Sequence, residues 1–161
     1  MTQPAAGIRR AVDGDLDGIV RTDHLAAGGD RERAEFLRRS LMAGQCHVHV
    51  AGGAVTGYVI VLPAHFFGRD FIELLNVDRA ARRSGTGRAL LRHAVATAAA
   101  SPVFTSTNTS NQPMRALLQS EGWTFSGQLD GLDDGDPELV FYQTRADQPP
   151  ESGSCVAISQ T

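Results

Sequence analysis

Lysine is absent from the 161 residues, and all fifteen cationic side chains are arginine. That absence excludes lysine Schiff-base chemistry and the lysine-bearing phosphate loop of the common NTPases. Cysteine is almost as scarce. Cys46 and Cys155 stand far apart, the second in a polar tail, so neither a disulfide framework nor a cysteine metal cluster is expected. No run approaches the roughly 18 to 20 apolar residues of a membrane span, and Met1 to Ala6 lacks the basic-then-apolar order of a signal peptide. The expectation is a cytoplasmic protein with no membrane partner. A net charge of −3 and the lack of any long basic run argue against a nucleic-acid partner. His24, His47, His49, His65 and His93 show no metal-ligand spacing and no nucleophile beside them, so no metal is expected either.

What is present suffices for one core, since 42% of the residues are hydrophobic in a chain of ordinary domain length. Residues 1–145 read as a single domain. Residues 146–161 are rich in Pro, Ser, Gly and Gln and read as a disordered polar tail. Gly7 to Val12 predicts a first strand, followed by a helix capped by Asp13 or Asp15 and running through Leu16, Ile19 and Val20 toward Leu25. A second helix over Arg31 to Gly44 is capped by Asp30, with Arg33, Arg38 and Arg39 on a solvated face. Alternation over Cys46 to Val50, the turn Gly52-Gly53 and the β-branched run Val55 to Leu62 predict a hairpin. After a loop from Ala64 to Arg69, the apolar run Phe71 to Val77 predicts a central strand. Gly85 to Ala99 is helical in pattern, Val103 to Thr107 a short strand, and Asn111 to Glu121 a helix stopped by Gly122. Two strands, Thr124 to Gln128 and Leu139 to Thr144, flank an acidic, turn-rich stretch from Asp130 to Pro137. The predicted class is α/β (α+β), with element order β-α-α-β-β-β-α-β-α-β-β. Hairpins together with a strand-helix-strand crossover imply a mixed, mostly antiparallel twisted sheet flanked by helices.

The strongest local signal is the strand, cationic loop and helix start around Arg82-Arg83-Ser84-Gly85-Thr86-Gly87-Arg88. Unpartnered N–H groups at a helix start receive anions, and glycines let a phosphate approach the backbone. The plainer reading of two such glycines is a tight turn solvated by Arg82, Arg83 and Arg88. The common fingerprints do not apply, because the third glycine of a dinucleotide loop would fall at Leu90 and no Gly-Lys-Ser/Thr is present.

Asn76-Val77-Asp78, then Arg82-x-x-Gly85-x-Gly87 and Ala89-Leu90-Leu91, resembles the central motif of the GNAT acyltransferase superfamily. Asn111 followed by Gly122-Trp123 resembles that family's Asn-to-Gly-aromatic pattern on the next helix, and the resemblance covers about Gly7 to Arg145. It implies an N-acetyltransferase that moves the acetyl group of acetyl-CoA to a primary amine of a small molecule or peptide by direct attack. Backbone groups around Leu75, Asn76 and Val77 would pair with the pantetheine arm. The loop Arg82 to Arg88 would hold the pyrophosphate, and Asn111 would contact the pantetheine or phosphate region. The thioester would lie where the Phe71 to Val77 strand splays from the Val103 to Thr107 strand. A backbone N–H near Val77 would stabilise the oxyanion.

Strand alternation puts Glu73 on the side of Leu75 and Val77, which makes it the leading general base, acting through a water. The family's usual tyrosine position holds Leu118. The thiolate's proton donor is then Tyr142, Tyr58 or water, unless both tyrosines are strand residues with surface hydroxyls; Thr109 and Ser110 are further hydroxyls beside Asn111. Phe66 and Phe67 are expected to pack or to wall the acceptor pocket, ahead of any role for His65 as a base. The carboxylates Asp130, Asp133, Asp134, Asp136 and Glu138 either attract a cationic amine or simply form a turn-rich loop, the second being preferred. Two other functions fit the motifs: a catalytically weak acyl-CoA-binding sensor or interaction domain, favoured by Leu118, and an unrelated nucleotide-binding domain. A monomer or a homodimer paired through the last strands is expected.

Overall fold

The computed structural model describes residues 7–145, so the expectation of a disordered tail lies outside the described residues. Seven strands form one mixed sheet: β1 (Gly7–Arg10), β2 (Cys46–Ala51), β3 (Ala54–Phe66), β4 (Arg69–Val77), β5 (Val103–Asn108), β6 (Thr124–Leu129) and β7 (Glu138–Gln143). Their spatial order is β1-β2-β3-β4-β5-β7-β6. Every neighbouring pair is antiparallel except β4 and β5. The helices are α1 (Leu16–Thr22), α2 (His24–Ala27), α3 (Arg31–Met42), α4 (Thr86–Thr97) and α5 (Gln112–Ser120).

Each sheet face has its own core. On one, Ile19, Leu37 and Leu41 of α1 and α3 bury Val48, Tyr58 and Ile60; we call this the α1 face. On the other, Leu90, Leu91 and Ala94 of α4 and Leu118 of α5 bury Val59, Ile72, Val103 and Trp123; this is the α4 face. The long helix expected from Leu16 to Leu25 is broken at Asp23, whose backbone is extended and whose carboxylate accepts from Leu25 and Ala26 N–H at 3.0 Å. A side chain that caps from within competes with helix continuation. Asp30 caps α3 by accepting from Arg33 N–H at 2.9 Å, as expected. Asp15 instead accepts backward, from Val12 N–H, and forms a two-pronged ion pair with Arg9 at 2.7 and 2.9 Å.

The stretch from Ala64 to Arg69 is not a loop: β3 continues through Phe66, and Phe67-Gly68 alone turns the chain into β4. Both turn residues have positive φ, +49° and +76°, the geometry of a tight type I′ hairpin turn. Asp70, buried at the start of β4, accepts from three backbone N–H groups: Ala64 at 3.1 Å, Ala99 at 2.7 Å and Ala100 at 3.2 Å. It thereby ties the end of β3 and the passage from α4 to β5 onto one carboxylate.

On the α4 face, His47 of β2 and His93 of α4 meet edge to face, with ring centroids 4.8 Å apart. His47 Nδ1 and His93 Nε2 are buried with no hydrogen-bond partner. Burial pushes both imidazole pKa values down, and the neighbouring His93 and then Arg10 lower that of His47 further. The folded state therefore disfavours protonation of both rings. The unfolded chain takes up protons as pH falls through the ordinary imidazole value of about 6.5, so stability falls there too. We expect the melting temperature to drop between pH 7.5 and 5.5, and a His93→Leu variant to show a visibly shallower drop; parallel curves for the two proteins would remove the pair as the cause.

Candidate active site

The site begins where β4 and β5 part. Their parallel pairing is limited to Phe71 with Phe104 and Ile72 with Thr105, and Thr105 Oγ1 closes the vertex by donating to the Ile72 carbonyl at 3.0 Å. From Glu73 onward the β5-facing edge of β4 has no strand partner. Asp78 N–H donates to Thr56 O at 2.8 Å, which sets the phase of the β3–β4 ladder. In that phase Asn76 bonds toward β3, whereas the N–H and C=O groups of Leu75 and Val77 point into the gap. A row of unpaired backbone groups at a strand edge accepts an extended, amide-bearing ligand. The expected splay, and the backbone edge at Leu75 and Val77, are thus both present.

The cationic loop closes the mouth of this gap. Asp78 opens it, accepting from Ala80 N–H at 2.8 Å. Gly85, the residue before α4, takes φ +87°, and a Cβ built on it would meet nothing within 4 Å. The site is open and the backbone left-handed, so glycine is held there by conformation rather than packing. The first i to i−4 bond of α4 runs from Ala89 N–H to Gly85 O at 2.9 Å; the N–H groups of Thr86, Gly87 and Arg88 precede it and have no intrahelical acceptor. A Cβ on Gly87 would sit 3.5 Å from Leu117, 3.6 Å from Val77 and 3.9 Å from Leu75, between the central strand and α5. The arginines divide. Arg83 is exposed with φ +63°, and Arg82 is exposed with Nε 3.4 Å from Val77 O. Arg88 points elsewhere: it pairs at 2.7 Å with Glu121, which also binds Arg92, and so serves to tie α4 to α5. Ser84 and Thr86 share a 2.9 Å hydrogen bond, and Ser84 Oγ also donates to Ala81 O. Their hydroxyls stabilise the turn, which leaves their backbone groups for a ligand. Asn111 is the N-cap of α5, accepting from Met114 N–H at 3.3 Å; its amide Nδ2 carries no partner among the described residues.

Glu73 does not follow the alternation expected of it. Ile60 faces Leu74 and Val61 faces Ile72, so Glu73 is the extra residue of a β-bulge. Ile72 and Leu75, three positions apart, consequently join the same core on the α4 face, while Leu74 joins the other. Glu73, two residues after Phe71 and adjacent to Leu74, belongs with the α1 face and not with Leu75 and Val77. It is exposed and has no ion-pair partner among the described residues. The bulge thus puts a free carboxylate at the vertex of the split, where bulges are known to re-aim side chains.

The remaining hydroxyls sort themselves by burial. Tyr58, expected to have a surface hydroxyl, is fully buried: it donates to Asp23 Oδ2 at 2.6 Å and accepts from Asn76 Nδ2 at 2.9 Å. Asn76 also donates to Asp23 at 3.1 Å, and Arg33, expected on a solvated face, turns in to 3.6 Å from the same carboxylate. Burial, then the Asp23 hydrogen bond, push the Tyr58 phenol pKa well above its usual value, so it is no acid for this site. Ser110 donates to Asp136 from both N–H and Oγ, and Asn108 Nδ2 donates to Asp133 at 2.9 Å. The acidic stretch is therefore a loop that fastens the end of β5, in keeping with its turn-forming reading. Leu118 is buried in the α4-face core. Tyr142 of β7 lies partly exposed against Phe104, with centroids 5.6 Å apart, on the Glu73 side of the sheet. Cys46 is buried, its thiol pushed up to about 12 chiefly by burial, which removes it as a nucleophile. Among the described residues no cluster of three or more metal-ligating side chains occurs.

Sequence reasoning missed the Asp23 hub. Its local half, a capping aspartate, had a signal in Asp23 itself; its other half joins α1 to β3 and β4 across 35 and 53 positions, and no spacing announces that.

The chain matches the acetyltransferase (GNAT) family over residues 16–123. Among solved structures, an acetyltransferase of the GNAT family from Bacillus cereus shares 30% identity, covering 88% of this chain and 99% of that one with a TM-score of 0.81. The yncA protein of Salmonella typhimurium, solved with its cofactor acetyl-CoA, shares 21% identity over 94% of this chain and 100% of its own, at a TM-score of 0.72. The ribosomal-protein-alanine N-acetyltransferase of Brucella melitensis shares 22% over 86% and 99%, at 0.69. These last two show a common fold. No match was found among curated proteins.

Proposed function

This chain belongs to the acetyltransferase (GNAT) family, and from that premise we propose that it transfers the acetyl group of acetyl-CoA to a primary amine of a small molecule or peptide in the cytoplasm. The observation that carries this reading is the conjunction of an unpaired β4 edge at Leu75 and Val77 with an unpartnered helix start at Gly85. One ligand has the amides and the pyrophosphate to engage both. Arg82 and Arg83 supply charge beside the loop, and the free Nδ2 of Asn111 donates to the pantetheine arm. The neighbour solved with acetyl-CoA supports this choice of donor by fold.

The step is direct attack. The amine nitrogen forms a bond to the thioester carbon, the carbonyl oxygen gathers charge near a β4 backbone N–H, and the C–S bond then breaks. Glu73 takes the ammonium proton, through a water, before attack. Tyr142, the one phenol with access, gives its proton to the departing thiolate and regains the second proton that the attacking nitrogen sheds as it becomes the amide. Glu73→Gln is expected to lower kcat by about 10²-fold or more while leaving acetyl-CoA affinity unchanged. A full rate across the pH range would take the base role from Glu73. The donor assignment is tested by calorimetric titration with acetyl-CoA beside ATP and NAD: selective binding of acetyl-CoA is expected, and a preference for either nucleotide would overturn it.

A further inference from the structure

Helices α1 to α3 cover their sheet face only as far as Leu62 of β3 and Leu74 of β4, and no residue of β5, β6 or β7 joins that core. The uncovered remainder is paved with rings. Phe66 stacks on Phe71 at 5.3 Å and 29°, meets Phe104 at 5.2 Å, and Phe104 meets Tyr142 at 5.6 Å. The row starts at the Phe71–Phe104 pair, directly below the point where β4 and β5 separate, with the Glu73 carboxylate two residues along on the same face.

Phe67 stands at the lip, edge-on to Phe66 at 5.0 Å. It is 92% exposed and sits at φ +49° in a type I′ turn, where Asn or Gly is the usual residue. A left-handed phenylalanine is strained by about 1–2 kcal/mol. Being almost wholly exposed, it recovers little of that by burial in the fold. An exposed, strained aromatic beside the half-buried rings of Phe66, Phe104 and Tyr142, with Phe71 buried beneath them, points to a ligand that completes the packing.

Building on the acetyl-transfer reading, we infer that this row is the acceptor's recognition surface, and that the preferred acceptor bears its primary amine on a short chain next to an aromatic ring. The ring packs against the partly exposed Phe66 and Phe104, which meet at 5.2 Å, and is closed over by Phe67. The ammonium reaches the free Glu73 carboxylate and the electron-rich ring faces, which favour a cation. Charge and shape therefore select together, and an amine without a ring keeps the ammonium contacts but loses the ring packing.

The test titrates the CoA-bound protein by calorimetry with 2-phenylethylamine and with ethylamine. At least about tenfold tighter binding of the aryl amine is expected. Phe104→Ala removes the ring between Phe66 and Tyr142 and should bring the two amines to within about threefold. Should that variant fold poorly, Phe67→Ser, at an exposed turn position outside both cores, is expected to reduce the ratio while the protein melts at or above its original temperature. Equal affinity for the two amines, or a ratio unchanged in Phe67→Ser, overturns the inference. So does a concentration-dependent dimer, seen by light scattering and lost in Phe67→Ser, since the rings would then be covered by a second copy. Failure to bind CoA at all would instead sink the acetyl-transfer reading, on which this inference rests; CoA binding without ring preference sinks the inference alone.

Discussion

Replacing Gly85 with valine is expected to weaken acetyl-CoA binding by about 100-fold or more, roughly 2.7 kcal/mol. Two effects add. At φ +87° a β-branched residue is strained and drives the loop toward another conformation, which turns the free N–H groups of Thr86, Gly87 and Arg88 away from a common focus. The new side chain also enters space that no protein atom occupies within 4 Å of its Cβ, which in the proposed complex holds a phosphate. Because Gly85 is exposed and outside both cores, the loss of stability should be limited to the local strain, about 1–2 kcal/mol. Gly87→Ala is the graded control: its Cβ would make ordinary contacts at 3.5 Å and beyond, so stability should hold while the narrowed gap beside Val77 reduces affinity less severely. Calorimetric dissociation constants for the three proteins check this. If the loop were only a tight turn, Gly85→Val would lower the melting temperature and leave acetyl-CoA affinity where it was.

Asp70→Ala is expected to have the largest effect on stability, about 3–5 kcal/mol. The buried carboxylate accepts from three backbone N–H groups, and removing it orphans all three, each at a cost of about 1–3 kcal/mol where water cannot reach. Some water entry on the half-buried flanks keeps the total below the upper sum. Against a typical domain stability of about 5–15 kcal/mol, such a loss leaves a marginal protein. Asp70→Asn should be nearly as damaging, since an amide presents one oxygen and turns its NH₂ toward a remaining donor. Urea denaturation of the variants measures this directly, and a loss below about 1 kcal/mol would show that these N–H groups find other acceptors. The same contact docks β5 beside β4 at the foot of the split, so residual folded protein should also transfer more slowly.

Much of the loop that opens α4 was legible because its conformation is locally encoded. A glycine pair at a strand-to-helix turn, with arginines before it, states its conformation and its charge within seven residues, Arg82 to Arg88. The order of elements along the chain and the mixed character of the sheet followed from hairpin turns and one crossover. The α1 face beyond its helices was less legible, for identifiable reasons. Phe71 to Val77 is apolar on both faces, so nothing in its pattern marks the bulge at Glu73 that moves this carboxylate to the α1 face. Phe67-Gly68 lacks the Asn-Gly signature of a type I′ turn, so the pattern there reads as a loop. Arg88 and Arg33 were assigned by neighbourhood in the chain, whereas Glu121 and Asp23, 33 and 10 positions away, decide where they point. Tyr58 alternates correctly on its strand; that its hydroxyl meets Asp23 and Asn76 depends on packing between elements. Local chemistry can be read in order along a chain, and contacts that join distant elements cannot.

The most direct test of acetyl transfer as this protein's activity is to incubate it with acetyl-CoA and a panel of primary amines, following free CoA thiol and the masses of the products together. The account predicts one acetylated amine for each thiol released, with Glu73→Gln forming that product about 10²-fold more slowly or worse. Acetyl-CoA bound tightly, with thiol release no faster than its spontaneous hydrolysis and no acetylated amine, would contradict it and leave a domain that binds acyl-CoA without using it.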